Sequence, residues 1–134
     1  MKVEKYNREL KMSLNKEWKK LFLKRLLRFA VSIVKLANEL PKTPAGFAIS
    51  SQVIKAGTSV GANVEEAQDA SSSRDFVQKL SISLREAREI HYWLEVIKMA
   101  ELLPSNNVKD EQAECSEIIA ILTSSVRSSK LKFK

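Results

Sequence analysis

The sequence predicts an all-α protein, an antiparallel up-down-up-down four-helix bundle, and three observations support this fold class. Apolar residues recur with helical spacing in four segments, and no segment sustains the alternation of a strand. Glycine and proline are scarce, three of each in 134 residues, whereas a β-rich fold needs many tight turns. The connections between segments are short, which favours antiparallel neighbours. We therefore expect one domain over 1–134, with a basic N-terminal arm over 1–14 and helices near 15–40, 47–69, 73–102 and 108–130.

Two adjacent apolar stripes run along the first predicted helix. The first stripe has the spacing of a packed helical seam and consists of Phe22, Leu26, Phe29, Ile33, Leu36 and Leu40. The second stripe lies beside it and consists of Leu23, Leu27, Ala30, Val34 and Ala37. Together they are wider than one bundle core requires, so we expect an interface on this helix. The alternative is a slightly rotated core that absorbs both stripes. The helix should stop before Pro41 and Pro44, which cannot continue it.

The second predicted helix has one side with almost no side-chain bulk, formed around Gly57 and Gly61. Small residues there favour a close approach to another helix. A phosphate-binding loop is excluded, because no strand precedes the glycines and no Gly-Lys-Ser/Thr follows them. Asn63 falls on the apolar seam and should be hydrogen-bonded, since an unpaired buried amide costs about 1–3 kcal/mol. It could also fix helix register.

The third and fourth helices have recognisable starts. Ser72 followed by Asp75 resembles a capping box at the start of helix three, and Asn107 is a suitable cap for helix four. The predicted seam of helix four includes Cys115 and Ile119.

Helix three also carries an outer apolar row that one bundle core does not need, and we assign it to helix packing or an oligomer interface: Trp93, Val96, Ala100 and Leu103.

Both ends of the chain are basic. Residues 1–28 contain ten basic and three acidic side chains, and 127–134 contain four basic and no acidic ones, within a net charge of +7. The start of helix one and the end of helix four share a pole in the predicted topology, so the two groups should converge there. Glu65, Glu66 and Asp69 would lie nearby and could neutralise part of this charge. The pole is either a solvated surface or a phosphate-binding one.

No arrangement of residues predicts an enzyme. His91 is the only histidine, and Cys115, the only cysteine, falls on a core seam where an inert thiol is expected. Neither a metal site nor a cofactor is predicted. The N-terminus lacks the apolar core of a signal peptide, and the most apolar run is too short to span a bilayer. We therefore expect a cytoplasmic protein without membrane contact.

Residues 54–94 contain a helix of small residues, a serine-rich turn and an aromatic residue at the start of the next helix. The residues of this pattern are Ser59, Val60, Ala62, Asn63, Val64 and Glu66 in the first part and Phe76, Leu80, Ser83 and Glu86 in the second. In this pattern the chain resembles the 23S ribosomal RNA intervening-sequence proteins. The resemblance implies an up-down bundle that assembles as a ring, commonly a homopentamer. It also implies similarity to the accessory variability determinant of diversity-generating retroelements, which binds nucleic acid and a reverse transcriptase. It implies no enzyme activity.

Our hypothesis is a non-enzymatic oligomer that binds nucleic acid, RNA in particular, through phosphate contacts. Tyr6, Trp18 and Phe133 could stack on bases, although Trp18 also continues the seam of helix one. The alternative is a protein-interaction scaffold with no nucleic-acid role. The predicted phosphate-binding side chains are Lys11, Lys16, Lys19, Lys20, Lys24, Arg25, Arg28, Arg127, Lys130 and Lys132, with Lys2, Lys5, Arg8 and Lys134 beyond them.

Overall fold

The computed structural model describes residues 16–132, which form four α-helices and no strand. The all-helical prediction is confirmed for this part of the chain, and the predicted arm over 1–14 lies outside it. A 3₁₀ turn at Ser105–Asn107 precedes the last helix. The helices are α1 (Lys16–Asn38), α2 (Pro44–Ala67), α3 (Ser73–Met99) and α4 (Lys109–Lys132).

The helices pack mainly against their neighbours in the sequence. α2 lies against both α1 and α3, α3 also lies against α4, and α1 meets α4 at fewer points. All four helices contribute to one apolar core, whose fully buried side chains include Ile33, Val60, Ile90 and Ile118. Burial of such apolar surface is the main source of stability for a bundle of this size.

α2 begins at Pro44, earlier than the predicted start at 47. Pro44 was expected only to end α1, but it also occupies the first position of α2. Thr43 caps the helix, and its Oγ1 accepts a hydrogen bond from the backbone N–H of Gly46 at 3.1 Å. Proline suits the first helical position because its missing N–H would have no partner there. α1 ends at Asn38, and Leu40 is buried in the connection.

The predicted cap of α3 is confirmed. The Oγ of Ser72 accepts a hydrogen bond from the backbone N–H of Asp75 at 3.0 Å. The carboxylate of Asp75 in turn accepts from the backbone N–H of Ser71 at 3.2 Å, one residue before the position of an ideal capping box. The first bond satisfies one of the donors that the start of a helix leaves unpaired, and the second fixes the residue before the cap.

Gly57 and Gly61 of α2 face α1. A Cβ added to Gly57 would lie 2.7 Å from the Cγ2 of Ile33, and one added to Gly61 would lie 3.2 Å from the Cβ of Leu26. The helices therefore approach too closely at Gly57 for any larger residue to fit unless Ile33 moves.

Asn63 is half-buried, and its side-chain N–H donates to the carbonyl oxygen of Ser59 at 2.8 Å, so the expected hydrogen bond is present. The bond lies within α2 and does not reach another helix. Val64 takes the buried position next to it.

α3 ends at Met99, and the hydrogen bonds after it form a motif in which one residue has left-handed geometry and is normally glycine. The N–H of Leu102 donates to the carbonyl of Ile97 at 3.0 Å, and the N–H of Glu101 donates to that of Lys98 at 3.1 Å. This is a Schellman motif, and Glu101 occupies its left-handed position with a φ of 55°. A residue with a Cβ is strained in this conformation by about 1–2 kcal/mol.

Glu101→Gly should therefore raise the free energy of unfolding by about 1 kcal/mol, measured by urea denaturation. Met99→Gly is the matched control, because Met99 is exposed in the last turn of α3 and has ordinary helical geometry. There the same change should lower stability by about 1 kcal/mol. An unchanged or lower stability for Glu101→Gly would contradict the strain at this position.

Candidate nucleic-acid interface

A row of cations lies along one side of α1. Lys16, Lys20, Lys24 and Arg28 are all exposed and follow one another at intervals of four residues, and Lys19 beside them is half-buried. Like charges at this spacing destabilise a helix by about 0.2–0.5 kcal/mol per pair. Within residues 16–132 no ion pair joins any of these five side chains to a carboxylate. Repulsion along the row therefore lowers the local stability of α1.

A second group of cations lies at the end of α4. Arg127, Lys130 and Lys132 are exposed in the last turns of the helix, where positive charge also interacts favourably with the helix dipole. We call the row on α1 and this group together the basic surface. The remaining predicted cation, Lys11, lies outside the described residues, as do Lys2, Lys5, Tyr6, Arg8, Phe133 and Lys134.

Arg25 differs from the other predicted cations because it makes a two-pronged ion pair with Glu114. Its Nε and Nη2 donate to the two carboxylate oxygens, each at 2.7 Å, and Nη2 also lies 3.4 Å from Glu117. Both carboxylates belong to α4, so this side chain ties α1 to α4. A planar guanidinium suits such a fork-shaped contact. A nucleic-acid contact of Arg25 remains a prediction.

The acidic residues near the α2–α3 turn do not pair with the basic surface in the described residues. Glu66 pairs with Lys79 of α3 at 3.2 Å, and Glu65 is exposed. The ring of Trp18 stacks on that of Phe22 with a centroid distance of 5.1 Å and packs against the core. Core packing is thus an observed role of Trp18.

An apolar groove with a volume of about 750 Å³ runs between α1 and α2 on the outside of the bundle. On the α1 side it is lined by Val31 and by four of the five residues of the second apolar stripe, namely Leu23, Leu27, Ala30 and Val34. Thr58, Gly61 and Ala62 line it on the α2 side. We call this surface the α1–α2 groove. Its rim carries three lysines on α1 and one carboxylate on α2, namely Lys20, Lys24, Lys35 and Glu65.

The outer apolar row of α3 is only partly exposed. Trp93 and Val96 are half-buried, Ala100 is exposed, and Leu103 is buried in the core, so Leu103 is not part of a surface row. Sequence reasoning missed Tyr92, which is 62% exposed and meets Trp93 edge to face at a centroid distance of 5.4 Å. Exposed aromatic rings of this kind are typical of protein interfaces.

Glu89 lies beside this aromatic pair, because the indole N–H of Trp93 donates to its carboxylate at 3.2 Å. Glu86 precedes Glu89 by three residues and lies near it on the same side of α3. Partial burial, with repulsion from Glu89, raises the pKa of Glu86 above its ordinary value, and attraction from Lys55 of α2 and from Arg85 offsets part of the rise. A further cation near Glu86 and Glu89 would relieve their repulsion.

The one cysteine of the chain lies in the core. Cys115 is fully buried, its Sγ donates to the carbonyl oxygen of Ala87 at 3.3 Å, and burial raises the pKa of its thiol to about 12. Residues 16–132 contain no cluster of three or more His, Cys, Asp or Glu side chains that could hold a metal ion. None of the helices in this range is both long enough and apolar enough to cross a membrane.

The chain matches the family model described as 23S rRNA-intervening sequence protein over residues 19–124. It is also similar to a solved structure, a protein of unknown function from the S23 ribosomal protein family of Bacteroides thetaiotaomicron. The two chains are 37% identical, the match covers 78% of this chain and 97% of the other, and the TM-score is 0.74. No curated protein matches the chain at a significant level.

Proposed function

This chain belongs to the 23S rRNA-intervening sequence protein family, and we propose that it is a non-enzymatic, homo-oligomeric, antiparallel four-helix bundle that binds nucleic acid, RNA in particular, through its basic surface. The observation that carries the nucleic-acid part is the row of exposed cations on α1, which no described acidic residue pairs with. Clustered lysine and arginine side chains gain affinity for phosphates by releasing condensed counterions. Such binding has little sequence preference. A cytoplasmic location would give the protein access to RNA.

The residues that meet between helices support an up-down-up-down order. Along α1 and α2, Leu26 lies by Gly61 and Ile33 by Gly57, so a later residue of one helix meets an earlier residue of the other. The same order of contacts is found in the next two helix pairs. Between α2 and α3, Glu66 meets Lys79 and Val60 meets Ser83. Between α3 and α4, Ala87 meets Cys115 and Glu95 meets Gln112. In this order the start of α1 and the end of α4 share a pole, which unites the basic surface.

The α1–α2 groove supports the oligomeric part of the proposal. Leu27 is 65% exposed and Val31 is 47% exposed, and both line an apolar concavity that water alone would otherwise fill. Contiguous apolar surface of this kind marks an interaction site. Five subunits in a ring is the number that the family resemblance implies, and light scattering of the purified protein measures it.

The test of nucleic-acid binding is a charge reversal at the end of α4. Arg127→Glu with Lys130→Glu should weaken binding to a single-stranded RNA. The slope of log affinity against log salt should fall by about one for each phosphate that the variant no longer neutralises. These positions lie outside the α1–α2 groove, so oligomerisation should be unaffected. Affinity is measured by fluorescence anisotropy at salt concentrations of about 50 to 200 mM, with a DNA single strand of the same sequence alongside.

The matched control is Lys42→Glu with Lys109→Glu. Both lysines are exposed, they lie before α2 and at the start of α4, and the change in net charge is the same. Binding by this variant should fall far less. Equal decreases in both variants would show that net charge alone attracts RNA. Absent binding, or binding that is independent of salt, would contradict the nucleic-acid role.

The second candidate function is a protein-interaction scaffold, which the apolar groove favours. A reverse transcriptase is the protein partner that the resemblance to the retroelement accessory determinant implies. An oligomer that does not bind RNA at any salt concentration would be evidence for the scaffold function and against nucleic-acid binding.

A further inference from the structure

We infer that the α1–α2 groove receives the aromatic face of α3, formed around Tyr92 and Trp93, from a second copy of this chain, so that copies join head to tail. This rests on the homo-oligomeric part of the proposed function and specifies which surfaces meet. It does not depend on nucleic-acid binding.

The charges on the groove argue against a symmetric interface of groove with groove. The rim carries Lys20, Lys24 and Lys35 on its α1 side and only Glu65 on its α2 side. If two grooves packed against each other, the lysines of both rims would greatly outnumber the carboxylates. An occupant should therefore have carboxylates on the flank that faces α1.

α3 has the charge pattern that the groove requires. Glu86 and Glu89 lie on the flank of the aromatic pair nearer to Trp93, where they would meet the lysines of α1. Arg85 and Arg88 are exposed on the other flank, next to Tyr92, where they would meet Glu65. At about 100° per residue, the two glutamates and the two arginines lie on opposite sides of the line midway between the two rings, and Glu86 and Arg88 lie farthest from it.

The shapes also match. Tyr92 projects from α3 and is 62% exposed, whereas the groove is a concave apolar surface of about 750 Å³. Aromatic side chains that fill such pockets are the commonest anchors of protein interfaces. A contact between two different faces repeats in one direction, and it produces a closed ring when its rotation closes.

Cysteine cross-linking tests which surfaces meet. The double variant Val31→Cys with Tyr92→Cys, treated with a short bismaleimide, should give a ladder of covalent dimers and larger species that ends at the size of the oligomer. Each single variant alone should give no covalent dimer, because Val31 meets Val31, or Tyr92 meets Tyr92, only in a symmetric interface. The buried Cys115 does not compete for the reagent.

The outcomes separate this inference from the proposed function. Dimers from Val31→Cys alone would overturn it, since they require grooves that face each other. An oligomer that yields no ladder with the double variant would also overturn it while leaving the homo-oligomer intact. A protein whose mass stays at the 15.2 kDa of one chain at every concentration would overturn both, whatever its binding to RNA.

A second variant tests the groove without cross-linking. Leu27→Glu should convert the oligomer to single chains in light scattering, because it places a carboxylate on the apolar floor of the groove. Leu21→Glu is the matched control, since Leu21 is on the same helix, is 61% exposed against 65% for Leu27, and does not line the groove. It should leave the mass unchanged, and both variants should keep their helical circular dichroism. Dissociation of the oligomer in both variants, or in neither, would overturn the assignment.

Discussion

Gly46→Ala is expected to lower the free energy of unfolding by about 3 kcal/mol. An added Cβ would lie 1.7 Å from the carbonyl oxygen of Pro41 and 2.8 Å from its carbonyl carbon. Both atoms are backbone, so no side-chain rotation relieves the clash, and the connection between α1 and α2 must shift. That shift separates the Oγ1 of Thr43 from the N–H of Gly46 and disturbs Leu40, which is buried beside the connection.

Urea denaturation followed by circular dichroism, at one fixed protein concentration, measures this change in stability. Gly61→Ala in the same helix is the control, because its Cβ would lie 3.2 Å from the Cβ of Leu26. That mild crowding is offset by the gain of about 1 kcal/mol that alanine brings to a helix interior, so the net change should be small. A decrease below about 1 kcal/mol for Gly46→Ala would show that the connection adapts easily.

Cys115 is expected to react with iodoacetamide at pH 8 about a thousandfold more slowly in the folded protein than in denaturant. The reactive species is the thiolate, and a rise in the pKa of the thiol from 9.0 to about 12 lowers the thiolate fraction by about that factor. The main cause is desolvation, with a smaller contribution from the negative charge of Glu114. Complete burial of the side chain also keeps the reagent away.

Mass spectrometry at timed intervals measures the rate of alkylation. Ser116→Cys provides an internal reference, because Ser116 is the next residue of α4 and is exposed. Its thiol should react as fast in the folded protein as in denaturant, while Cys115 of the same molecule remains unmodified. Similar rates at the two positions would contradict the burial of Cys115.

The core of α1 could be predicted from its apolar pattern, and that of α2 only in part. Phe22, Ile33 and the other residues of the first predicted stripe are all buried. In α2 the residues on either side of Asn63 along the predicted seam, Val60 and Ala67, are buried, but Val64 takes the core position between them. Burial of valine leaves no polar group without a partner, whereas the amide of Asn63 stays half-buried and finds its hydrogen bond within α2.

Other features depend on contacts between distant parts of the chain and leave no local pattern. The ion pair between Arg25 and Glu114 joins residues that are 89 positions apart. Because Arg25 lies among other basic residues, nothing in the sequence distinguishes it as the one that pairs with α4. In α4, Ile118 and Ile119 are equally apolar, and only packing selects Ile118 for the fully buried position. The groove likewise has walls from two helices, and no pattern within α1 alone indicates that α2 forms the second wall.

Lys20 and Lys24 belong to both the basic surface and the rim of the α1–α2 groove. A docked copy that brings carboxylates to these two lysines would lower the local positive potential, so this part of α1 would attract phosphates less. By thermodynamic linkage, nucleic acid bound there would weaken docking by the same factor. Assembly and phosphate binding would thus oppose each other through two side chains. Lys16, Lys19 and Arg28 of α1 and the cations at the end of α4 do not line the groove, so they would keep their affinity for phosphates in the assembled protein.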